Sequence, residues 1–182
     1  MMLKAITNNE QLKPFFKDDI KENRVCVILD DSFYLTSKKL NTKSLVNIAV
    51  DDFYNGLNLA KTPPSIDNLL IINRGDSKFS LYLIELKKRK RTRHIFHKEI
   101  QSKFKTTIDN FMSERFSREF VETAAKTIDL NLWFVCNLFL SEGTGLKSMK
   151  SQIIEKLMSI KPFEFRGKKS MIRPMPSGER IS

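Results

Sequence analysis

Two apolar segments separated by a short turn constrain the fold of this chain more than any other feature of its sequence. Residues 66–73 (IDNLLIIN) and 79–86 (FSLYLIEL) flank residues 74–78 (RGDSK), in which glycine, aspartate and serine are typical turn residues. Apolar residues occur at consecutive positions in both segments, as in strands that are buried on both faces. The sequence therefore predicts a central antiparallel hairpin with Asp76 at its midpoint.

This hairpin predicts a meeting of charged side chains at its open end. Residues equally distant from Asp76 should face each other, which places Asp67 opposite Glu85. Side chains alternate between the two faces of a strand, so Glu85 and Lys87 should project on the same side. Opposed residues also share a face. Two carboxylates and one ammonium group are thus expected to converge.

Such a trio is suited to metal-dependent chemistry on phosphate esters. Two carboxylates can hold Mg²⁺, which keeps several waters and needs few protein ligands. The carbonyl of Leu86 is a further candidate ligand. A bound metal polarises a phosphodiester and lowers the pKa of its water. A neighbouring lysine can orient or deprotonate that water, or neutralise charge that develops on the phosphate.

The segment PSID at 64–67, followed after 17 residues by ELK at 85–87, resembles the PD-(D/E)XK nuclease superfamily. That pattern places an acid at the start of one strand and an acid-x-lysine at the end of its hairpin partner. Ser65 and Ile66 separate the proline from the aspartate, which departs from the pattern's name. The resemblance covers about residues 44–140, and type II restriction endonucleases are similar in chain size.

The resemblance implies a role for each residue of the trio. Asp67 and Glu85 would be metal ligands, and Lys87 would be the catalytic lysine. The cofactor would be Mg²⁺, for which Mn²⁺ could substitute. The implied fold is a mixed central β-sheet flanked by helices, and the implied reaction is phosphodiester hydrolysis.

A third acid is expected from the helix before the hairpin. Apolar residues from Leu45 to Phe53 recur at helical spacing and predict a helix of about 14 residues, which Thr42 or Ser44 could cap. On such a helix Asp52 would share the inward face of Ile48 and Ala49, whereas Asp51 would point elsewhere. Asp52 is therefore a candidate metal ligand.

A cationic segment follows the trio, because six of the seven residues 87–93 are lysine or arginine. Lysine and arginine supply most non-specific affinity for nucleic acid through phosphate contacts. The formal charge of +11 also permits an anionic membrane or an acidic protein as partner. No apolar run approaches the roughly 18 residues of a spanning helix, so a membrane is not expected. The predicted nucleic-acid contacts are Lys88, Arg89, Lys90, Arg91, Arg93, His94, Lys98 and Gln101.

The remaining patterns complete the predicted order of elements. Helices are predicted at 8–22, 96–116, 118–127 and 146–160, with strands at 24–29, 33–35 and 130–140, and an irregular basic tail from 161. The fold class expected is α/β (α+β), restriction-endonuclease-like. We expect a single nuclease domain over 1–182, with its core at about 44–140 and a basic C-terminal extension at about 161–182.

Two cysteines and the N-terminal segment bear on the compartment. Cys26 and Cys136 lie in apolar segments and are predicted to be buried free thiols, as in a reducing cytosol. The first 17 residues lack the pattern of a secretory signal. A cytoplasmic location is therefore expected.

The leading interpretation is a Mg²⁺-dependent endonuclease that cleaves double-stranded DNA as a homodimer, in the manner of a type II restriction enzyme. A resolvase, a repair nuclease or a viral RNA endonuclease would use the same fold. Two alternatives come from other functional classes. One is a non-catalytic basic nucleic-acid-binding module, and the other is a protein that binds the ribosome or an acidic partner.

Overall fold

A computed structural model describes residues 2–36, 38–88, 96–140 and 144–182 of the chain. The helices are α1 (Met2–Asn8), α2 (Val50–Gly56), α3 (Phe96–Thr106), α4 (Ser117–Phe120) and α5 (Thr144–Met158). A π-helix covers Thr107–Arg115, and 3-10 turns cover Lys13–Phe15, Asp31–Phe33 and Asn137–Leu140. The strands are β1 (Ile20–Glu22), β2 (Val25–Leu29), β3 (Tyr34–Thr36), β4 (Lys39–Leu40), β5 (Leu45–Ala49), β6 (Asn68–Asn73), β7 (Lys78–Lys87), β8 (Thr127–Cys136), β9 (Phe163–Phe165), β10 (Lys168–Ser170), β11 (Ile172–Pro176) and β12 (Glu179–Ile181).

A mixed five-stranded sheet forms the centre of the fold, in the order β11-β8-β7-β6-β5. Its β5, β6 and β7 are antiparallel neighbours, whereas β8 runs parallel to both β7 and β11. The predicted hairpin of β6 and β7 therefore lies inside the sheet, with a neighbour on each side. Both the mixed α/β fold class and the central position of the hairpin are confirmed.

The two faces of the central sheet pack against different layers. Leu69, Leu81 and Leu83 face a core that they share with the helices. Leu70 and Ile84 point to the other face and pack in a core shared with β2 and β12. Helices thus cover one face of the sheet and a smaller sheet of β1, β2 and β12 covers the other. Odd-numbered residues of the hairpin face the helices. The side chains of Asp67, Glu85 and Lys87 at its open end therefore point to the helix side.

The helix predicted over 96–116 is present but changes its winding. It is α-helical to Thr106 and continues as a π-helix to Arg115, where the Phe116 N–H donates to the Phe111 carbonyl at 3.0 Å. The wider winding keeps Ile108 and Phe111 buried against the sheet. Phe111 packs at 5.3 Å, ring centroid to ring centroid, on Phe53 of α2.

Two helix predictions in the N-terminal third are wrong. Residues 8–22 do not form a helix, because α1 ends at Asn8 and β1 occupies Ile20–Glu22. The helix predicted from about residue 44 begins only at Val50, since Leu45–Ala49 forms β5. All five residues of β5 are buried, so its apolar pattern is that of an internal strand packed on both faces.

The irregular C-terminal tail is also a wrong prediction. Within it, β11 pairs in parallel with β8 and so extends the central sheet. The last strand, β12, pairs in parallel with β2 in the smaller sheet. Ile172 and Ile181 are buried. The C-terminal segment is therefore part of both layers and does not merely extend from a core at 44–140.

The remaining expectations on strands and thiols have mixed outcomes. The strands predicted at 24–29 and 130–140 are present as β2 and β8, although the latter ends at Cys136. Cys136 is buried as expected, while Cys26 is only half-buried. Among the described residues, no helix is both long enough and apolar enough to cross a membrane.

The role of β11 predicts a difference between two neighbouring residues. Ile172→Ala should lower the free energy of unfolding by about 2–5 kcal/mol, because it leaves a cavity in the core under the helices. Arg173→Ala, at an exposed neighbouring position, should change it by no more than about 0.5 kcal/mol. Urea denaturation followed by circular dichroism measures both. Equal effects of the two substitutions would contradict the placement of β11 in the central sheet.

Candidate functional site

The hairpin register brings Asp67 against the end of β7. Asn68 pairs with Ile84 and Asn73 with Phe79, so every pair is equidistant from Asp76 and Asp67 falls beside Glu85. The Leu86 N–H donates to Oδ2 of Asp67 at 2.5 Å. The predicted register and the predicted meeting of these two acids are therefore confirmed.

Glu85 is the central group of the site, with none of its side chain exposed. A buried carboxylate is costly unless cations compensate it. Two ammonium groups do so: Lys87 Nζ lies 3.0 Å from Oε1, and Lys103 Nζ lies 2.9 Å from the same oxygen. Lys103 also donates to Oε2 at 3.0 Å. Lys87 thus projects on the side of Glu85, as predicted from strand alternation.

Lys87 is held as a cation between two carboxylates. Its Nζ lies 3.2 Å from Oε1 of Glu99 on α3, in addition to its contact with Glu85. Burial opposes the charge on Lys87, but the attraction of Glu85 and Glu99 outweighs it and raises the lysine pKa above its ordinary value. In this arrangement Lys87 is a source of positive charge and a poor proton acceptor.

Lys103 of α3 is a member of the site that the sequence did not assign. Besides Glu85, it reaches Asp67, with 3.9 Å between Nζ and Oδ1. Glu99 and Lys103 are one helical turn apart on α3, and both contact the charged end of β7. The four-residue spacing of Glu99 and Lys103 is the one feature of the sequence that places both on the same side of α3. It predicts their contact with the site only when the side of α3 that faces the strand is known.

The Asp67 carboxyl group is largely buried beside the other acids of the site. Burial, with Glu85 as the next cause, raises its carboxyl pKa from 3.8 to about 8. The charge of Lys103 and the hydrogen bond from the Leu86 N–H act in the opposite direction, and Asp51 adds slightly to the rise. Asp67 therefore binds a proton at neutral pH in the metal-free protein.

The acid that α2 contributes is Asp51, and the predicted inward position of Asp52 is wrong. Asp52 is exposed and forms an ion pair with Lys17, with 2.9 Å between Nζ and Oδ2. Asp51 is half-buried, and burial is the main cause of its raised pKa, to which Glu85 also contributes. The reason is the late start of α2 at Val50, which changes the phase of the helix relative to the sheet.

A cavity of about 240 Å³ opens beside Asp67. It is lined by Lys17, Asp19, Lys21, Glu22, Ala49, Asp51, Asp52, Asp67 and Asn68. Glu85 is not among these lining residues. A solvated ion that enters the cavity would meet five lining carboxylates, those of Asp19, Glu22, Asp51, Asp52 and Asp67.

The donor set tests whether a divalent metal fits. Oε1 of Glu85 is buried and accepts no aligned hydrogen bond, although both lysine nitrogens lie near it. A metal ion that reached this oxygen would compete with both ammonium groups for it. No group of three or more His, Cys, Asp or Glu side chains in the described residues is already arranged around one point. The set fits a hard ion that keeps most of its waters. The contact of Leu86 with the acids is the hydrogen bond from its N–H to Asp67. The role of its carbonyl as a metal ligand stays a prediction.

The residues predicted to contact nucleic acid do not form one group in the structure. Arg89, Lys90, Arg91, Arg93 and His94 lie outside the described residues. Lys88 is exposed at the end of β7, next to the site. Lys98 and Gln101 are five and two positions from Lys103 on α3, and at 3.6 residues per turn they lie on a different side of that helix. The structure does not bring them to the acids.

Comparison of the chain with protein-family models, curated proteins and solved structures found no significant match.

The raised pKa of Asp67 fixes a direction for the pH dependence of stability. The folded protein holds this proton up to about pH 8, whereas the unfolded chain releases it near the ordinary carboxyl pKa of 3.8. The folded state therefore binds more protons between these values, and its stability falls as the pH rises through that window.

Asp67→Asn is expected to remove this loss, because the amide keeps the shape and an acceptor for the Leu86 N–H without a titrating proton. In metal-free buffer, the variant should closely match the wild type near pH 4, the lower end of this window, and unfold roughly 5 °C or more higher at pH 8.5. Asp129→Asn, at an exposed ion pair with Lys168, should follow the wild type at both pH values. A lower midpoint of Asp67→Asn at pH 8.5 would contradict the raised pKa.

Proposed function

We propose that this chain is a metal-dependent endonuclease that hydrolyses phosphodiester bonds of nucleic acid, with double-stranded DNA as substrate. One observation carries the proposal. Asp67, Glu85 and Lys87 meet at the ends of two adjacent strands, on the side of the sheet that faces α3. This is the placement of an acid and an acid-x-lysine that the resemblance to PD-(D/E)XK nucleases implies.

Asp67 and Glu85 would hold the metal, and Asp51 would face it across the cavity. The bound Mg²⁺ or Mn²⁺ would supply the polarisation of the phosphodiester and the activation of water. Asp67 must lose its proton to bind a cation. Its raised pKa therefore links metal uptake to proton release at neutral pH.

Lys87 would stabilise negative charge that develops on the phosphate. Its contacts with Glu85 and Glu99 keep it protonated and fix its position. A preorganised cation in a water-poor site acts more strongly than the same cation in water. Charge neutralisation and orientation of the attacking water are the roles that this environment favours over proton abstraction.

The substrate is inferred from charge and from the resemblance. The chain has a formal charge of +11, and exposed Lys88 begins the basic segment next to the site. Phosphates of nucleic acid are the anions that such a segment binds with salt-sensitive affinity. The similarity to type II restriction endonucleases favours duplex DNA over RNA and a cytoplasmic protein.

A non-catalytic binding module would explain the basic segment but not the buried site. Exposed lysines and arginines are sufficient for phosphate contact. Such a module has no need for a fully buried glutamate next to an aspartate with a strongly raised pKa. Perturbed groups of this kind cluster at functional sites.

A homodimer would place two such sites on the two antiparallel strands of a duplex, since two-fold symmetry of the protein matches that of a palindromic target. Sedimentation equilibrium measures this directly and should give twice the mass of 21.2 kDa. A monomer mass over the whole range of concentrations that supports duplex cleavage would contradict the dimer.

Cleavage of plasmid DNA with Mg²⁺ tests the activity and the site together. Lys87→Ala and Asp67→Asn should each lower the rate by at least about a hundredfold, since each removes a group at the reacting phosphate or the metal. Lys105→Ala is the matched control, because Lys105 pairs with Asp109 on the outer side of the helix. It should retain the wild-type rate.

The same assay separates the alternatives. Degradation of single-stranded RNA with Mn²⁺, without cleavage of the plasmid, would change the substrate to RNA. If the chain binds nucleic acid in a salt-sensitive way but cleaves neither DNA nor RNA in the presence of Mg²⁺ or Mn²⁺, it is a binding module and not an enzyme. Wild-type rates in both site variants would refute the assigned residues, provided that circular dichroism shows both variants to be folded.

A further inference from the structure

Lys103 lies at the position between the two acids that a metal ion would take. Its Nζ is 2.9 Å from Oε1 and 3.0 Å from Oε2 of Glu85, and 3.9 Å from Oδ1 of Asp67. Its side chain is 17% exposed, so the contact is shielded from water. It is a cation that contacts both proposed metal ligands at once.

We propose that Lys103 is the resident counter-ion of the metal site, which a divalent ion must displace in order to bind. This inference rests on the proposed function, because it concerns the same two carboxylates. In the metal-free protein the Lys103 ammonium compensates the buried charge of Glu85. A metal ion takes over that compensation and the ammonium leaves.

The two lysines of the site differ in what would remain to them after a metal had bound. Lys87 has a second carboxylate partner, Glu99, at 3.2 Å, and can keep it. Lys103 has no carboxylate other than Glu85 and Asp67 within ion-pair distance among the described residues. A divalent ion on these oxygens would add a double positive charge beside the two ammonium groups and repel both of them strongly in a poorly solvated site. Lys103 is therefore the one that moves.

The displaced ammonium requires a new anion. It is attached by a flexible four-carbon chain to a helix that is anchored through Ile100 and Phe104. A phosphate at the site is an anion that Lys103 could reach while the metal holds the carboxylates. Lys103 would thereby couple the binding of metal to the binding of nucleic acid, and the coupling would be reciprocal.

The test is a Mn²⁺ titration of the metal-free chain, with free Mn²⁺ quantified by electron paramagnetic resonance. Lys103→Met, which removes the competing charge, should bind Mn²⁺ on the order of tenfold more tightly than the wild type. Lys103→Arg, which retains the charge, should stay within about threefold of it. Lys105→Met, on the same helix but paired with Asp109, should equal the wild type.

Thermal unfolding supplies a readout that does not depend on activity. Without metal, Lys103→Met should unfold at a lower temperature than the wild type, since Glu85 loses one of its two cations. Added Mn²⁺ should raise its midpoint by more than it raises that of the wild type. If Lys103→Met does not fold, Lys103→Gln, which keeps a hydrogen-bond donor for Glu85, is used for both measurements with the same expectations.

The outcomes separate this inference from the proposed function. Equal or weaker Mn²⁺ binding by the uncharged Lys103 variant, with a wild type that binds Mn²⁺ and cleaves nucleic acid, overturns the counter-ion role and leaves the nuclease in place. A wild type that neither binds Mn²⁺ nor cleaves overturns both. Tighter binding by the uncharged variant, with unchanged binding by Lys103→Arg, supports the counter-ion role.

Discussion

The buried charge of Glu85 is the constraint on which the arrangement of the site depends. A carboxylate with no exposed surface in the middle of a protein must be compensated by cations that are fixed in place. One of its two cations comes from its own strand, two positions on, and the other comes from α3. The ion pairs therefore hold α3 over the end of the central hairpin. Without Lys103, the helix and the strand would keep the ion pair of Glu99 with Lys87 and their apolar contacts, and the apolar contacts tolerate sliding more readily.

The two faces of the central sheet pack against different layers, and the acids and lysines of the candidate site lie on one of them. The even-numbered side of the hairpin packs on the small sheet of β1, β2 and β12, which uses both ends of the chain. The odd-numbered side meets the helices and carries Asp67, Glu85 and Lys87 at its edge. Thr107 links the segment before β6 to α3, because its hydroxyl accepts the Ile66 N–H at 3.3 Å and donates to the Lys103 carbonyl at 3.0 Å. The backbone that leads into Asp67 is thus tied to the helix that carries Lys103.

The wrong predictions have a common physical origin. The apolar residues of Leu45–Ala49 fit one face of a helix as well as a strand buried on both sides, and the neighbouring strand β6 decides between them. A later helix start changes the direction of every side chain that follows. For this reason Asp51, and not Asp52, faces the other acids. The tail has a similar cause. Its strands are short and β11 contains two prolines, so β11 is stable as a strand because β8 supplies its pairing partners.

The sequence by itself determined the hairpin and the meeting of Asp67, Glu85 and Lys87. These follow from a short turn centred on Asp76 and from the alternation of side chains along a strand, which are local rules. Only the tertiary structure decided that Lys103, Glu99 and Asp51 join them. Lys103 and Glu99 reach the site from α3 and Asp51 from α2, and the rotation of both helices is set by packing against the sheet. Packing is a property of distant parts of the chain, so no local pattern contains it.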